Sequence, residues 1–143
     1  MLISTKGRYA LRVMIDLAEH RADGLIPLKV IADRQDISEK YLENIIKLLV
    51  GAKMLKGLRG KGGGYQLTKD PDQYTVKSIL QVTEGSMAPV SCLEPDADIC
   101  PRAGECRTLS LWKGLDNVIN EYLENVTLAD LEGCAAGGYD YII

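Results

Sequence analysis

The chain has 143 residues, enough for one domain or a small domain with an attached arm, and at 46% hydrophobic and 26% charged it has the composition of a globular protein. No apolar run approaches the ~20 residues that span a bilayer, and MLISTKGRYA has no apolar signal core, so the expectation is a cytoplasmic protein with no membrane partner. The net charge of −3 conceals a split: residues 1–75 carry 13 Lys and Arg against 9 Asp and Glu, whereas residues 76–143 carry 4 against 11. The N-terminal part can therefore offer a basic face to a polyanion.

Residues 5–20, TKGRYALRVMIDLAEH, place Tyr9, Val13 and Leu17 on one helical stripe with Ala10, Leu11 and Met14 beside it. Lys6, Arg8 and Arg12 lie near the start and flank of this helix. Pro27 opens a second, short helix with Val30 and Ile31 expected inward, and Asp36-Ile37-Ser38 breaks it. Ser38 is a good N-cap for a third helix, in which Leu42, Ile45, Ile46 and Leu49 follow the i, i+3, i+4, i+7 pattern. Ser38, Lys40, Glu43, Asn44 and Lys47 fall on its outer face. Two helices at a tight turn, the second polar outside, form the helix-turn-helix pattern.

KMLKGLRGKGGGYQLT, residues 53–68, reads as two short strands around a glycine-rich turn, with Met54, Leu55 and Leu58 on one side. Lys56, Arg59 and Lys61 make this hairpin basic. Helix-turn-helix plus basic hairpin predicts a mainly α fold with a small β wing, a winged helix. Thr75 caps a further helix through residue 84, with Val76, Ile79, Leu80 and Val82 apolar.

CLEPDADICPRAGEC, residues 92–106, follows and holds Cys92, Cys100 and Cys106, three of the four cysteines. Clustered cytoplasmic thiols bind metal or sense redox state more often than they form structural disulfides. Tetrahedral metals and iron–sulfur clusters usually take four ligands, so a fourth is wanted. The last long segment repeats Trp112, Leu115, Ile119, Tyr122 and Val126 at spacings of 3, 4, 3, 4, widened by Leu111, Val118 and Leu123. That stripe suits pairing with a second copy, predicting a homodimer. Thr127 caps a short final helix, Leu128–Leu131.

Glycines near Lys61 do not make a nucleotide site: no Gly-Lys-Ser/Thr enters a helix, and a strand-like YQLT follows. Backbone amides with Lys and Arg suit the phosphates of duplex DNA equally well. The third helix would enter the major groove, where Glu43 can accept from a cytosine amino group. Ser38, Lys40 and Asn44 can reach bases or phosphates. Arg59, with Lys61 beside it, would enter the adjacent minor groove, while Lys6 and Arg8 neutralise phosphates. An electron carrier would have no use for this unit, and an enzyme has no nucleophile–base pair here.

STKGRYAL, ISEKYLENII, RGKGGGYQL and the three-cysteine loop before a long helix together resemble the Rrf-type winged-helix regulators over residues 1–132, nearest to the IscR branch. The resemblance implies a repressor that reads a palindromic or pseudo-palindromic operator as a homodimer. It implies that Glu43 and Arg59 sit where the family reads bases, and that Cys92, Cys100 and Cys106 hold a cluster, [2Fe-2S] or, alternatively, [4Fe-4S]. Cluster occupancy would then set the relative placement of the two recognition helices. The organisation expected is a DNA-binding domain (1–85), a cluster loop (86–107), a dimerisation helix with its capping helix (108–132) and a tail (133–143).

The sequence departs from that pattern at the fourth ligand. The IscR branch typically has His three residues after the third cysteine, where this chain has Leu109. Relatives that draw an acidic residue or His from the partner's first helix do so near positions 8 and 12, here both Arg, which cannot ligate iron. Cys134, His20, or a loop carboxylate of Glu94, Asp96, Asp98 or Glu105 remain as candidates, as does an external thiol or water. Other readings stay open for the loop: a cluster-free thiol switch of the CymR type, a nitric-oxide-sensing cluster of the NsrR type, or structural zinc.

Overall fold

Ser4 starts the first helix: extended itself, it accepts the amide of Gly7 on its hydroxyl oxygen at 3.1 Å and so caps α1 (Thr5–Glu19). The structure, a computed structural model, describes residues 2–133. Cys134 and the rest of the tail lie outside the described residues. Helix α1 runs through the molecule as its central element, burying Ala10, Val13, Met14, Leu17 and Ala18 completely.

A short 3-10 turn, Arg21–Asp23, leads to α2 (Leu28–Gln35). Pro27 precedes this helix as its extended cap rather than forming its first turn. Asp36 stops α2 in a left-handed conformation with φ 53°, one that Asp tolerates through its short polar side chain. Ser38 then caps α3 (Glu39–Gly51), accepting from Tyr41 N–H at 3.2 Å. Leu42, Ile45, Ile46 and Leu49 of α3 are buried against α1.

The wing consists of β1 (Leu55–Leu58) and β2 (Gly64–Leu67), antiparallel, with Leu55 opposite Leu67 and Leu58 opposite Gly64. It is tied to the body by reciprocal backbone bonds between Ile26 and Tyr65, at 3.0 and 2.8 Å. That approach requires glycine at position 64: its φ is 152°, and a Cβ there would run into the Ile26 backbone. Strand alternation corrects one expectation. Leu55 is buried, but Leu58, three residues on, points to the opposite face and is exposed. Val30 likewise faces outward, leaving Ile31 to fill the core from α2.

Helix α4 (Val76–Glu84) is capped by Thr75. An irregular segment with one 3-10 turn, Ser91–Leu93, carries the cysteines to α5 (Leu109–Asn125), and α6 (Leu128–Glu132) follows behind a reciprocal Thr127–Asp130 capping box. The chain returns to the body after α5: Leu128 N–H donates to Tyr74 O at 2.9 Å, Val76 N–H donates to Val126 O at 2.8 Å, and Leu128 is fully buried in the main core. Tyr74 closes the other side, its hydroxyl accepting from Thr68 and Lys69 N–H and donating to Met54 O at 2.8 Å.

One charge is buried in the helix-turn-helix. Asp16 of α1 is 3% exposed and receives Arg34 Nε at 3.0 Å, Arg34 Nη2 at 2.6 Å and Gln35 Nε2 at 2.9 Å, all from the end of α2. Arg12 adds a second tie to the same place, donating to Gln35 Oε1 at 3.2 Å and to the Gln35 carbonyl. Removing one partner of such a pair strands the other. Asp16→Ala should lower stability by about 3 kcal/mol in urea unfolding; a loss below about 1 kcal/mol would make the pair peripheral.

Candidate nucleic-acid interface and the cysteine loop

The outer face of α3 follows from the burial of its inner one: with Leu42, Ile45, Ile46 and Leu49 packed inward, Ser38, Lys40, Glu43, Asn44 and Lys47 are exposed. The wing lies beside this helix, and the two enclose an open groove of about 700 Å³. Glu43 and Lys47 line it from α3 and Arg59 from the hairpin tip, over a floor of Leu28, Ile46, Val50 and Tyr65. The two residues expected to read bases therefore face one cavity. Lys61 is exposed at the same turn. Lys47 Nζ stands 3.9 Å from Glu43 Oε1 one helical turn away, a solvent-exposed pair of small energetic worth that offsets charge next to the carboxylate.

Helix α1 flanks the same surface. The Tyr9 ring meets Tyr41, in the first turns of α3, edge-on at 5.8 Å, and the Arg12 guanidinium lies 5.0 Å over Tyr9. Lys6 and Arg8 are exposed in the first turn of α1, where Arg8 Nη2 donates to Thr5 Oγ1 at 3.0 Å. The sequence places Lys47 on the outer face of the third helix and Arg12 on the flank of the first without assigning either a DNA contact; the i, i+4 spacing from Glu43 was the available signal for the role of Lys47.

Cys92, Cys100 and Cys106 are all exposed with free thiols. In kind they are iron–sulfur ligands. In arrangement, no group of three His, Cys, Asp or Glu side chains gathers to hold a metal ion among the described residues. Hydrogen bonding from Thr108, whose hydroxyl lies 3.5 Å from the sulfur, holds the Cys106 thiol below the ordinary thiol pKa, and Arg102 adds to the effect. His20, another candidate ligand, caps the far end of α1, with Nδ1 2.8 Å from the Asp16 carbonyl. Fifteen helical residues, roughly 22 Å at ~1.5 Å each, separate it from the end of α1 nearest the cysteine segment. Leu109 is the first residue of α5, and Arg12 is engaged with Gln35 and Tyr9.

Helix α5 buries none of its residues completely. Leu111, Leu115, Val118 and Tyr122 are exposed at spacings of 4, 3 and 4, with Trp112 and Ile119 half-buried along one edge. The open ridge thus runs through Leu111 and Val118, which the sequence pattern placed at the margin. Val126, expected to continue the stripe, is not in the helix: it is the extended C-cap and packs with Leu123 against Val76, Leu80 and Met87 of its own chain. Among the described residues no helix is long and apolar enough to cross a membrane.

Comparison with known proteins agrees with this architecture. The family described as "Rrf2: Iron-dependent Transcriptional regulator" matches residues 3–132. The chain is 39% identical to the HTH-type transcriptional regulator CymR of Bacillus subtilis over 137 residues, 96% of this chain and 94% of that one. It is 37% identical to the HTH-type transcriptional regulator IscR of Sodalis glossinidius over 131 residues, 92% of this chain and 78% of that one. Among solved structures, CymR of B. subtilis, the global cysteine regulator of that organism, superposes with a TM-score of 0.75 at 39% identity, covering 92% of this chain and 96% of its own. IscR of T. potens superposes with a TM-score of 0.70 at 36% identity, covering 99% and 96%. With its helix-turn-helix, its wing and this match over nearly the whole described chain, the protein belongs to the Rrf2 family of winged-helix transcriptional regulators.

Proposed function

We propose that the protein is a homodimeric repressor that reads a palindromic or pseudo-palindromic operator and controls genes of iron–sulfur cluster assembly or sulfur metabolism. The observation that carries the DNA reading is the convergence of Glu43 and Arg59 on one groove between α3 and the wing. An α-helix fits the major groove, and a hairpin beside it meets the neighbouring minor groove. A carboxylate among phosphates weakens binding unless it accepts from a base, which makes Glu43 a specificity residue. Arg59 at the hairpin tip suits a narrow A·T-rich minor groove. Ser38, Lys40, Asn44 and Lys61 supply further contacts from the same exposed faces. The open ridge Leu111, Leu115, Val118 and Tyr122 supports the dimer, because a chain seldom leaves so regular an apolar row in water.

Cys92, Cys100 and Cys106 are the ligands for a cluster, [2Fe-2S] in the first instance, a group that when bound would supply a labile reporter of iron, sulfide and redox state. A second reading, a cluster-free thiol switch, is favoured by the open, thiolate-leaning Cys106. Thiolate, not thiol, is the species that oxidises or is alkylated.

Three outcomes test these readings. Arg59→Ala should weaken binding to a duplex selected from a random pool by about 1–3 kcal/mol at fixed salt, and an unchanged affinity removes Arg59 from base reading. Anaerobic reconstitution with iron and sulfide should give a coloured protein with bound iron; a colourless product leaves the thiol reading. Because the Thr108 hydrogen bond lowers the Cys106 pKa, Thr108→Val should move the midpoint of its iodoacetamide alkylation to higher pH, read by mass spectrometry. An unmoved midpoint would show that Thr108 does not hold the thiolate.

A further inference from the structure

We propose that Glu84 is a positioning residue for DNA binding, fixing the first turn of α1 so that Lys6 and Arg8 meet the phosphate backbone in register with α3. The proposal rests on the DNA-binding reading above. Glu84 is the last residue of α4, and its Oε1 accepts both the backbone N–H of Ser4 at 2.9 Å and the Ser4 hydroxyl at 2.6 Å. Ser4 in turn caps α1 through Gly7 N–H. One carboxylate oxygen therefore holds the residue on which the first turn of α1 depends.

The packing at Gly7 is built around the same group. Gly7 is buried, and a Cβ there would strike Glu84 Oε1 and come within 3.2 Å of Leu80 and Thr83. Negative charge at a helix N-terminus is favourable in itself. With Gly7 held on α4, Lys6 and Arg8 project into solvent, and Arg8 is steered further by Thr5. One turn later Tyr9 is set against Tyr41 of α3. Cations at the start of α1 and base-reading groups at the start of α3 thus share one rigid frame, and Glu84 fastens the end of it that Ser4 caps.

Simple electrostatics and positioning predict opposite results, which makes the test sharp. Removing an acidic charge near a polyanion should tighten binding if charge alone matters. Positioning predicts that Glu84→Ala loosens the α1 turn and loses its phosphate contacts. The measurement is fluorescence anisotropy of the full chain on the selected duplex across a salt series, with a thermal melt of each variant. For Glu84→Ala the slope of log affinity against log salt should become shallower by about 3–4, and affinity at low salt should fall at least about tenfold, since each phosphate contact contributes ~0.9 to the slope and the dimer carries Lys6 and Arg8 twice. Glu84→Gln keeps the acceptor oxygen and should keep the wild-type slope. Lys6→Ala with Arg8→Ala should change the slope no further in the Glu84→Ala background. If Glu84→Ala does not fold, Gly7→Ala displaces the carboxylate and should give the same shallower slope. A wild-type slope, or tighter binding, in a folded variant lacking the latch overturns the proposal. A wild-type chain with no salt-dependent duplex binding overturns the DNA reading beneath it.

Discussion

The buried carboxylate of Asp16 sets the geometry on which the surface proposed to meet DNA depends. An ionised group at 3% exposure is costly unless its partners come with it, and here they come from the last turn of α2. Arg34 grips it with two nitrogens and Gln35 with a third, so α2 can end in only one place relative to α1. The sharp left-handed stop at Asp36 follows immediately, and α3 starts at once behind Ser38. The orientation of α3 is therefore inherited from a charge pair between α1 and α2. Apolar packing of Ile31, Leu42 and Ile45 against α1 supplies most of the burial; the directional bonds at Asp16 fix the angle.

A second joint lies at the opposite end of α1. Ile3, Met87, Leu123 and Val126 meet Val76 and Leu80 in a small separate cluster. The N-terminal arm, the start of the cysteine segment and the end of α5 all contribute to it. A rearrangement of the segment after Gly85, which turns the chain with φ 73°, would pull on Met87 and so on the seat of α1. Any shift of population driven at the thiols has to reach the DNA face by differential contacts of this kind.

Much of this fold is written locally. The helices announce themselves through caps at Ser38, Thr75 and Thr127 and through apolar spacing, and the hairpin through its glycines. What escapes a linear reading is pairing across the chain. Asp16 sits three residues after Val13, inside the apolar stripe of α1, which marks it as unusual, but its partners lie in another helix. The Ser4–Glu84 contact spans 80 residues, and the Ile26–Tyr65 bridge joins a loop to a strand. Val126 reads as the next step of a heptad because periodicity does not reveal that α5 stops at Asn125. At the interface, residue type and helical spacing placed Glu43 correctly on the outer face; its meeting with Arg59 across a groove is tertiary. For the cysteines, spacing identifies a donor set and says nothing of how it is gathered.

The central claim is that α3 and the wing of each of two chains read adjacent grooves of one duplex. Methylation protection on the selected duplex tests it most directly, because dimethyl sulfate reports guanine N7 in the major groove and adenine N3 in the minor groove. The account predicts two symmetric half-sites centred about one or two helical turns of ~10 base pairs apart, each with a protected guanine N7 flanked by a protected adenine N3. A single unrepeated half-site, or protection with no preferred base positions, would contradict it.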